Sequence, residues 1–124
     1  MISKLMAVVA VAACAALVVA GTAVAGNIGT TTVTIQEQNG DFHGKVKSDE
    51  PDCRGDRTVN LFKQRKGPDK KIASDTTENN GDWSTGNTHV EHGKYYAKAR
   101  KVQFAMKRGL LGCDPDKSRV VTVN

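Results

Sequence analysis

Apolar residues recur at every second position in short runs through most of this chain, and no segment after residue 25 has the spacing of an amphipathic helix. Val33 and Ile35 alternate with polar residues, and Phe42 and Val46 share one face of the next run. The dipeptide Asn39-Gly40 separates these two runs and tolerates the positive φ angles of a tight hairpin turn. Seven or so such runs, at intervals of about 8–12 residues, predict an all-β sandwich.

The first 25 residues follow a different pattern. Lys4 precedes an unbroken apolar run over residues 5–20, and Ala23-Val24-Ala25 supplies small residues at the positions that a signal peptidase reads. This order predicts a helical secretory signal peptide over residues 1–25 and a single β-sandwich domain over residues 26–124. The stretch over residues 5–25 is also about long enough to remain as a membrane anchor, and Cys14 offers a site for lipid attachment. We therefore expect a secreted, extracellular protein, with anchoring to the outer face of the membrane as the alternative.

Two cysteines, Cys53 and Cys113, remain after the predicted signal peptide. An even pair in an oxidising compartment predicts a disulfide. Closing a loop of this length stabilises a fold by about 4 kcal/mol on the chain-entropy model. Cys53 lies in a polar segment over residues 48–56, and residues 107–115 around Cys113 are also predicted to be a loop. The expected disulfide therefore joins two loops at one end of the sandwich.

Two aromatic residues are predicted to be structural. The sequence from Glu91 to Ala97 reads acidic-x-Gly-x-Tyr-x-small, which matches the tyrosine corner of immunoglobulin-like sandwiches and assigns the corner to Tyr95. Trp83 follows a tight turn at residues 78–81, and a single large aromatic residue in a small sandwich is expected in its core. The fold class predicted from these residues is therefore an immunoglobulin-like Greek-key β-sandwich.

Four short motifs occur in a fixed order along residues 33–123. They are Phe42-x-Gly44-x-Val46, Val59-x-Leu61, the segment from Ser74 to Trp83, and Gly93-x-Tyr95-x-Ala97. Together they resemble the carboxypeptidase regulatory-like and collagen-adhesin B-type domains, and most of all small exported bacterial single-domain proteins with two cysteines. The resemblance implies a prealbumin-like sandwich that serves as an accessory, stalk or surface-binding module. It brings no catalytic residue that could be assigned here.

The chain is basic, with 18 Lys and Arg against 13 Asp and Glu. Lys94, Lys98 and Arg100 are predicted to share the outward face of one strand with Tyr96, and Lys101 follows directly. Such a face suits anionic cell-wall polymers or acidic glycans. Lysines on outer strands also prevent sheets from associating edge to edge, so the same residues have a purely structural explanation. Few aromatic residues are present, which argues against specific nucleic-acid binding.

These observations predict an exported, non-enzymatic, monomeric binding or structural module. The alternative is a secreted effector or enzyme inhibitor that docks through the disulfide-held loop end. No nucleophile with an activating base is recognisable, and neither a cofactor nor a metal is expected. Three weaker features are expected to be ordinary surface: the histidines, the acidic residues beside the cysteines, and the tripeptide Arg54-Gly55-Asp56.

Overall fold

The computed structural model describes residues 27–124, which form an all-β structure with one short 3-10 turn at Pro51–Cys53. Residues 1–25, the predicted signal peptide, lie outside the described residues. The strands are β1 (Asn27–Gly29), β2 (Thr32–Val33), β3 (Gln36–Gln38), β4 (Asp41–Lys47), β5 (Thr58–Lys63), β6 (Lys70–Thr76), β7 (Asp82–Asn87), β8 (Gly93–Ala99), β9 (Val102–Met106), β10 (Gly109–Cys113), β11 (Asp116–Lys117) and β12 (Val121–Val123).

Two antiparallel sheets face each other as a β-sandwich. In the first sheet, β2 and β3 both pair with one side of β4, and β7 pairs with its other side. In the second sheet the order is β6, β5, β8, and both β11 and β12 pair with the free side of β8. The chain crosses between the sheets after β4, after β6 and after β7.

The turn at residues 39–40 shows how local sequence sets the strand register. Asn39 and Gly40 have φ angles of 53° and 83°, the left-handed values that a two-residue hairpin turn requires. Gln38 therefore pairs with Asp41, and Phe42 and Val46 both point into the core. A register slip of one residue would turn these side chains to solvent. The predicted hairpin is confirmed.

The core lies between the two sheets and is almost entirely apolar. Its buried members are Val33, Ile35, Phe42, Val46, Val59, Leu61, Trp83, Tyr95, Ala97, Ala99 and Val121. The Trp83 indole is 2% exposed and donates to the Thr34 carbonyl at 3.2 Å. The Tyr95 hydroxyl donates to the Glu91 carbonyl at 2.7 Å. Trp83 is thus a core residue, and the backbone hydrogen bond predicted for Tyr95 is present.

A third, three-stranded sheet stands at one end of the sandwich, and we call β1, β9 and β10 the flap. β9 and β10 form a hairpin, and β1 pairs with β10 in parallel. The prediction that residues 107–115 form a loop is therefore wrong, since most of them belong to β10. Gly109 and Gly112 are typical of loop sequence, but pairing with β9 and with the distant β1 makes residues 109–113 a strand.

Candidate functional site

The outer surface of the second sheet carries a group of lysines around two aromatic rings. Alternation along β8 points Lys94, Tyr96 and Lys98 away from the core, opposite to Tyr95 and Ala97. Pairing with the neighbouring strands adds Phe62 and Lys117 to the same surface, because Phe62 lies opposite Tyr96 and Lys117 lies opposite Lys98. We call Lys94, Lys98, Lys117, Phe62 and Tyr96 the basic face.

Tyr96 lies at the centre of this face but is only 7% exposed. The Phe62 ring stacks on it at a centroid distance of 5.5 Å, and the Lys117 amine lies 4.2 Å from the Tyr96 ring centroid. The hydroxyl donates to Asp69 Oδ2 at 2.5 Å. Tyr96 therefore lies on the outward side of β8, but its ring is covered by the side chains that pack on it.

The hydrogen bond between Tyr96 and Asp69 changes the titration of both groups. Burial, together with the bond to Asp69, raises the pKa of Tyr96 to about 12. The bond from Tyr96 and a second from the Arg65 amide lower the pKa of Asp69 below its ordinary value. Both shifts favour a neutral phenol beside an ionised carboxylate at neutral pH.

The lysines of the basic face outnumber the acids beside them, since Asp69, which accepts from Tyr96 and is influenced by the charge of Lys117, is the carboxylate found next to them within residues 27–124. Lys98 and Lys117 are direct cross-strand neighbours and both are exposed. Like charges in this position destabilise a sheet. Within residues 27–124, no carboxylate oxygen lies within 4.0 Å of the amine of Lys94, Lys98 or Lys117, since the ion pairs there involve other residues. An anionic ligand would relieve this repulsion.

The structure separates the four basic residues predicted as one site. Lys94 and Lys98 lie on the basic face, whereas Arg100 and Lys101 are exposed in the turn between β8 and β9, beyond the end of the strand. Sequence reasoning missed Phe62 and Lys117 as members of this face. No local pattern could reveal Lys117, because it joins the face through the two-residue strand β11, whose pairing with β8 is non-local.

The disulfide between Cys53 and Cys113 is present and joins the sandwich to the flap. The two Cα atoms are 5.6 Å apart, and the residues are 0% and 1% exposed. Cys53 ends the 3-10 turn, while Cys113 ends β10 and therefore lies in a strand. The two cysteines and Leu111 form a second small core, against which Val102 and Phe104 of β9 pack.

Arg57 makes the second connection between these parts. It is 1% exposed, and its guanidinium donates to the Cys53 carbonyl (2.8 Å), the Thr31 hydroxyl (3.1 Å), and the carbonyls of Arg100 (3.0 Å) and Asp114 (2.9 Å). Burial lowers the pKa of Arg57, and the charge of Asp114 opposes this shift. A lone arginine at the start of a strand usually indicates solvent exposure, so its sequence context gave no sign of this role.

The weaker candidates do not assemble into a site. His43 Nε2 is 3.0 Å from Gln36 Oε1, and His89 and His92 are exposed. In the part of the chain that the structure describes, no three His, Cys, Asp or Glu side chains are grouped as metal ligands. The Arg54 guanidinium is half-buried and donates twice to the Ser48 carbonyl, so it is held against its own loop beside Gly55 and Asp56.

No helix among residues 27–124 has the length and apolarity to span a membrane. Comparisons with protein-family models, curated proteins and solved structures find no match to this chain. The function of this chain is therefore inferred from the geometry of its own residues.

Proposed function

We propose that this chain is an exported, non-enzymatic and monomeric binding module that holds an anionic polymer, such as a cell-wall polymer or an acidic glycan, on its basic face. The observation that carries the proposal is the pair Lys98 and Lys117, which are adjacent and exposed and make no ion pair within 4.0 Å among the described residues. A regular row of cations on a rigid sheet attracts a repeating polyanion over several contacts at once.

Three features support the wider proposal. The strand order and the Tyr95 corner suit an immunoglobulin- or prealbumin-like Greek-key sandwich. The buried disulfide suits an oxidising compartment outside the cytosol, in line with the predicted signal peptide. The turn residues Arg100 and Lys101 extend the positive charge toward the flap, and their share in binding remains a prediction.

The test measures binding of heparin, as a sulfated glycan probe, by isothermal titration calorimetry. We expect Lys98→Gln/Lys117→Gln to weaken binding by about tenfold, and a rise from about 50 to about 300 mM NaCl to weaken wild-type binding strongly, because exposed charges are screened by salt. The control Lys47→Gln/Lys107→Gln removes the same charge from two exposed lysines elsewhere. Equal losses in both variants would show that only net charge matters, and salt-independent binding would contradict the proposal.

A second candidate function is an effector or inhibitor that docks through the disulfide-held end. The supporting observation is that the flap exposes large apolar side chains: Ile28 is 71% exposed and Leu110 is 56% exposed. Exposed apolar residues grouped on a rigid element are typical of interaction surfaces.

A further inference from the structure

The edge strands of the described residues differ in how well they are protected against pairing. A sheet edge presents unpaired N–H and C=O groups, and proteins usually protect it with short strands, charges or irregularities. β1, β2, β3, β11 and β12 have only two or three residues each. β6 begins with Lys70 and Lys71 and shifts register against β5, and β7 contains Gly86 at a φ of 67°.

β9 has none of these protections. It has five residues, Val102 to Met106, without a charge, proline, glycine or register shift. It pairs with β10 on one side, and no other strand of residues 27–124 pairs with its second side. Since Met106 and Gly109 flank a two-residue turn, the ladder leaves the N–H and C=O groups of Gln103 and Ala105 directed at the free edge.

The charges around β9 indicate what would pair with it. Arg100 and Lys101 precede the strand and Lys107 and Arg108 follow it, and all four are exposed. None of the ion pairs found within residues 27–124 involves them. A complementary strand therefore carries acidic residues at both of its ends and uncharged residues between them.

The same charges argue against a second copy of this chain as the partner. An antiparallel pairing of β9 with itself, centred on Phe104, sets Lys101 of one copy opposite Lys107 of the other. It also sets Arg100 opposite Arg108. Like charges directly opposite each other destabilise a strand pair, so the register that pairs all five residues of β9 with their counterparts is disfavoured at both of its ends.

A hollow of about 490 Å³ lies beside the free edge and gives an added strand room for a side chain. Pro51, Phe104 and Met106 supply apolar walls, and Asp52 and Asp56 also line it. The apolar walls suit a large apolar side chain from the middle of an added strand, and Asp52 and Asp56 would repel an acidic one, which agrees with acidic residues at the ends of that strand only.

We propose that the free edge of β9 binds an extended segment of a partner protein as an added strand, with apolar and β-branched residues in its middle and acidic residues at both ends. Main-chain hydrogen bonds supply affinity in such β-augmentation, and the flanking charges and the hollow supply specificity. The proposal rests on the second candidate function, docking through the disulfide-held end, and not on the basic face.

The experiment titrates the oxidised protein with the fluorescein-labelled peptide DEVTFTVED and follows fluorescence anisotropy. We expect saturable binding that weakens at least about tenfold in Ala105→Pro, because proline removes an N–H at the free edge without removing a bond to β10. Peptides N-methylated at alternate residues test the same bonds without altering the protein. Methylation of the odd-numbered or of the even-numbered residues gives two peptides, and the one that has lost the N–H groups facing β9 should not bind. The peptide KKVTFTVKK, with reversed end charges, should not bind.

Each outcome decides the proposal. Unchanged binding in a folded Ala105→Pro variant, equal binding of both N-methylated peptides, or no binding of DEVTFTVED at millimolar concentration would overturn it. A dimer in sedimentation equilibrium that Ala105→Pro abolishes would overturn it in favour of a second copy. Lys98→Gln/Lys117→Gln should keep full peptide affinity, so this test and the heparin test fail separately.

Discussion

The sandwich and the flap are stabilised by different means. The sandwich buries an apolar core contributed by both sheets, including Phe42, Leu61 and Trp83. Its strands pair both with near neighbours in sequence, as β5 does with β6, and with distant strands, as β4 does with β7. The flap buries Leu111 and two cysteines, with Val102 and Phe104 half buried beside them. Apolar burial stabilises by about 25 cal/mol per Å², so the flap gains little from it.

The flap is therefore held by a covalent bond and a buried cation instead of a core. The disulfide fixes β10 to the 3-10 turn, and Arg57 bonds four acceptors in four separate segments around the junction. Very small units commonly depend on such connections. Loss of the disulfide or of the Arg57 hydrogen bonds should therefore free the flap while the sandwich remains folded.

The largest effect is expected from Cys53→Ala/Cys113→Ala. Loss of the disulfide should lower the free energy of unfolding by about 4 kcal/mol, measured by urea denaturation with Trp83 fluorescence. Amide hydrogen exchange should accelerate most in β9 and β10. The control Val59→Ala destabilises the sandwich core and should not affect the flap preferentially. Flap amides as well protected as those of β5 in the disulfide variant would contradict the comparison.

Arg57→Met should cost about 3 kcal/mol, because it leaves several buried acceptors without a donor. Arg57→Lys keeps the charge but not the planar fork, so it should recover only part of this loss. Thermal unfolding and amide exchange of the flap are the measurements. Tyr95→Phe, which removes one hydrogen bond in the sandwich, should cost about 1 kcal/mol and leave flap exchange unchanged. An Arg57→Lys variant with the thermal stability and flap exchange of wild type would contradict a role for the planar guanidinium.

The smallest effect should appear only at alkaline pH and only in the sandwich. The pKa of Tyr96 is raised from its ordinary 10.0 to about 12 in the folded state, so the folded state holds this proton more tightly. The contribution of this tighter protonation to the free energy of unfolding is complete below pH 10 and is lost as pH rises toward 12. The urea midpoint should fall between about pH 9 and 11.5, and it should fall less in Tyr96→Phe. Burial also raises the pKa of Tyr95, so Tyr95→Phe should remove a separate part of the fall, and an identical fall in wild type and Tyr96→Phe would contradict the assignment.

Local patterns predicted the sandwich well. Period-two alternation identified the buried faces of β4 and β5, the Asn39-Gly40 turn identified the first hairpin, and Trp83 and Tyr95 have the structural places expected of them. The pairing of Cys53 with Cys113 also followed from composition and compartment. Each of these features depends on neighbours in sequence or on the small number of cysteines.

The flap and the basic face were predicted less well because both depend on distant pairing. β10 is a strand through its partners β9 and β1, and Lys117 reaches the basic face through β11. The role of Arg57 requires four acceptors to meet around it, which no single segment encodes. Sequence periodicity records which side of a strand is buried but not which strand lies beside it.

The parallel pairing of β1 with β10 also sets the order of events during folding. Asn27 pairs with Leu111, so nearly the whole domain must be synthesised before the flap can close. During that interval Cys53 has no partner thiol, because Cys113 lies 60 residues further along. Until then the Cys53 thiol can exchange with disulfides of other molecules, forming a mixed disulfide and releasing a thiol, and we expect the Cys53–Cys113 bond to form after the last strands are present.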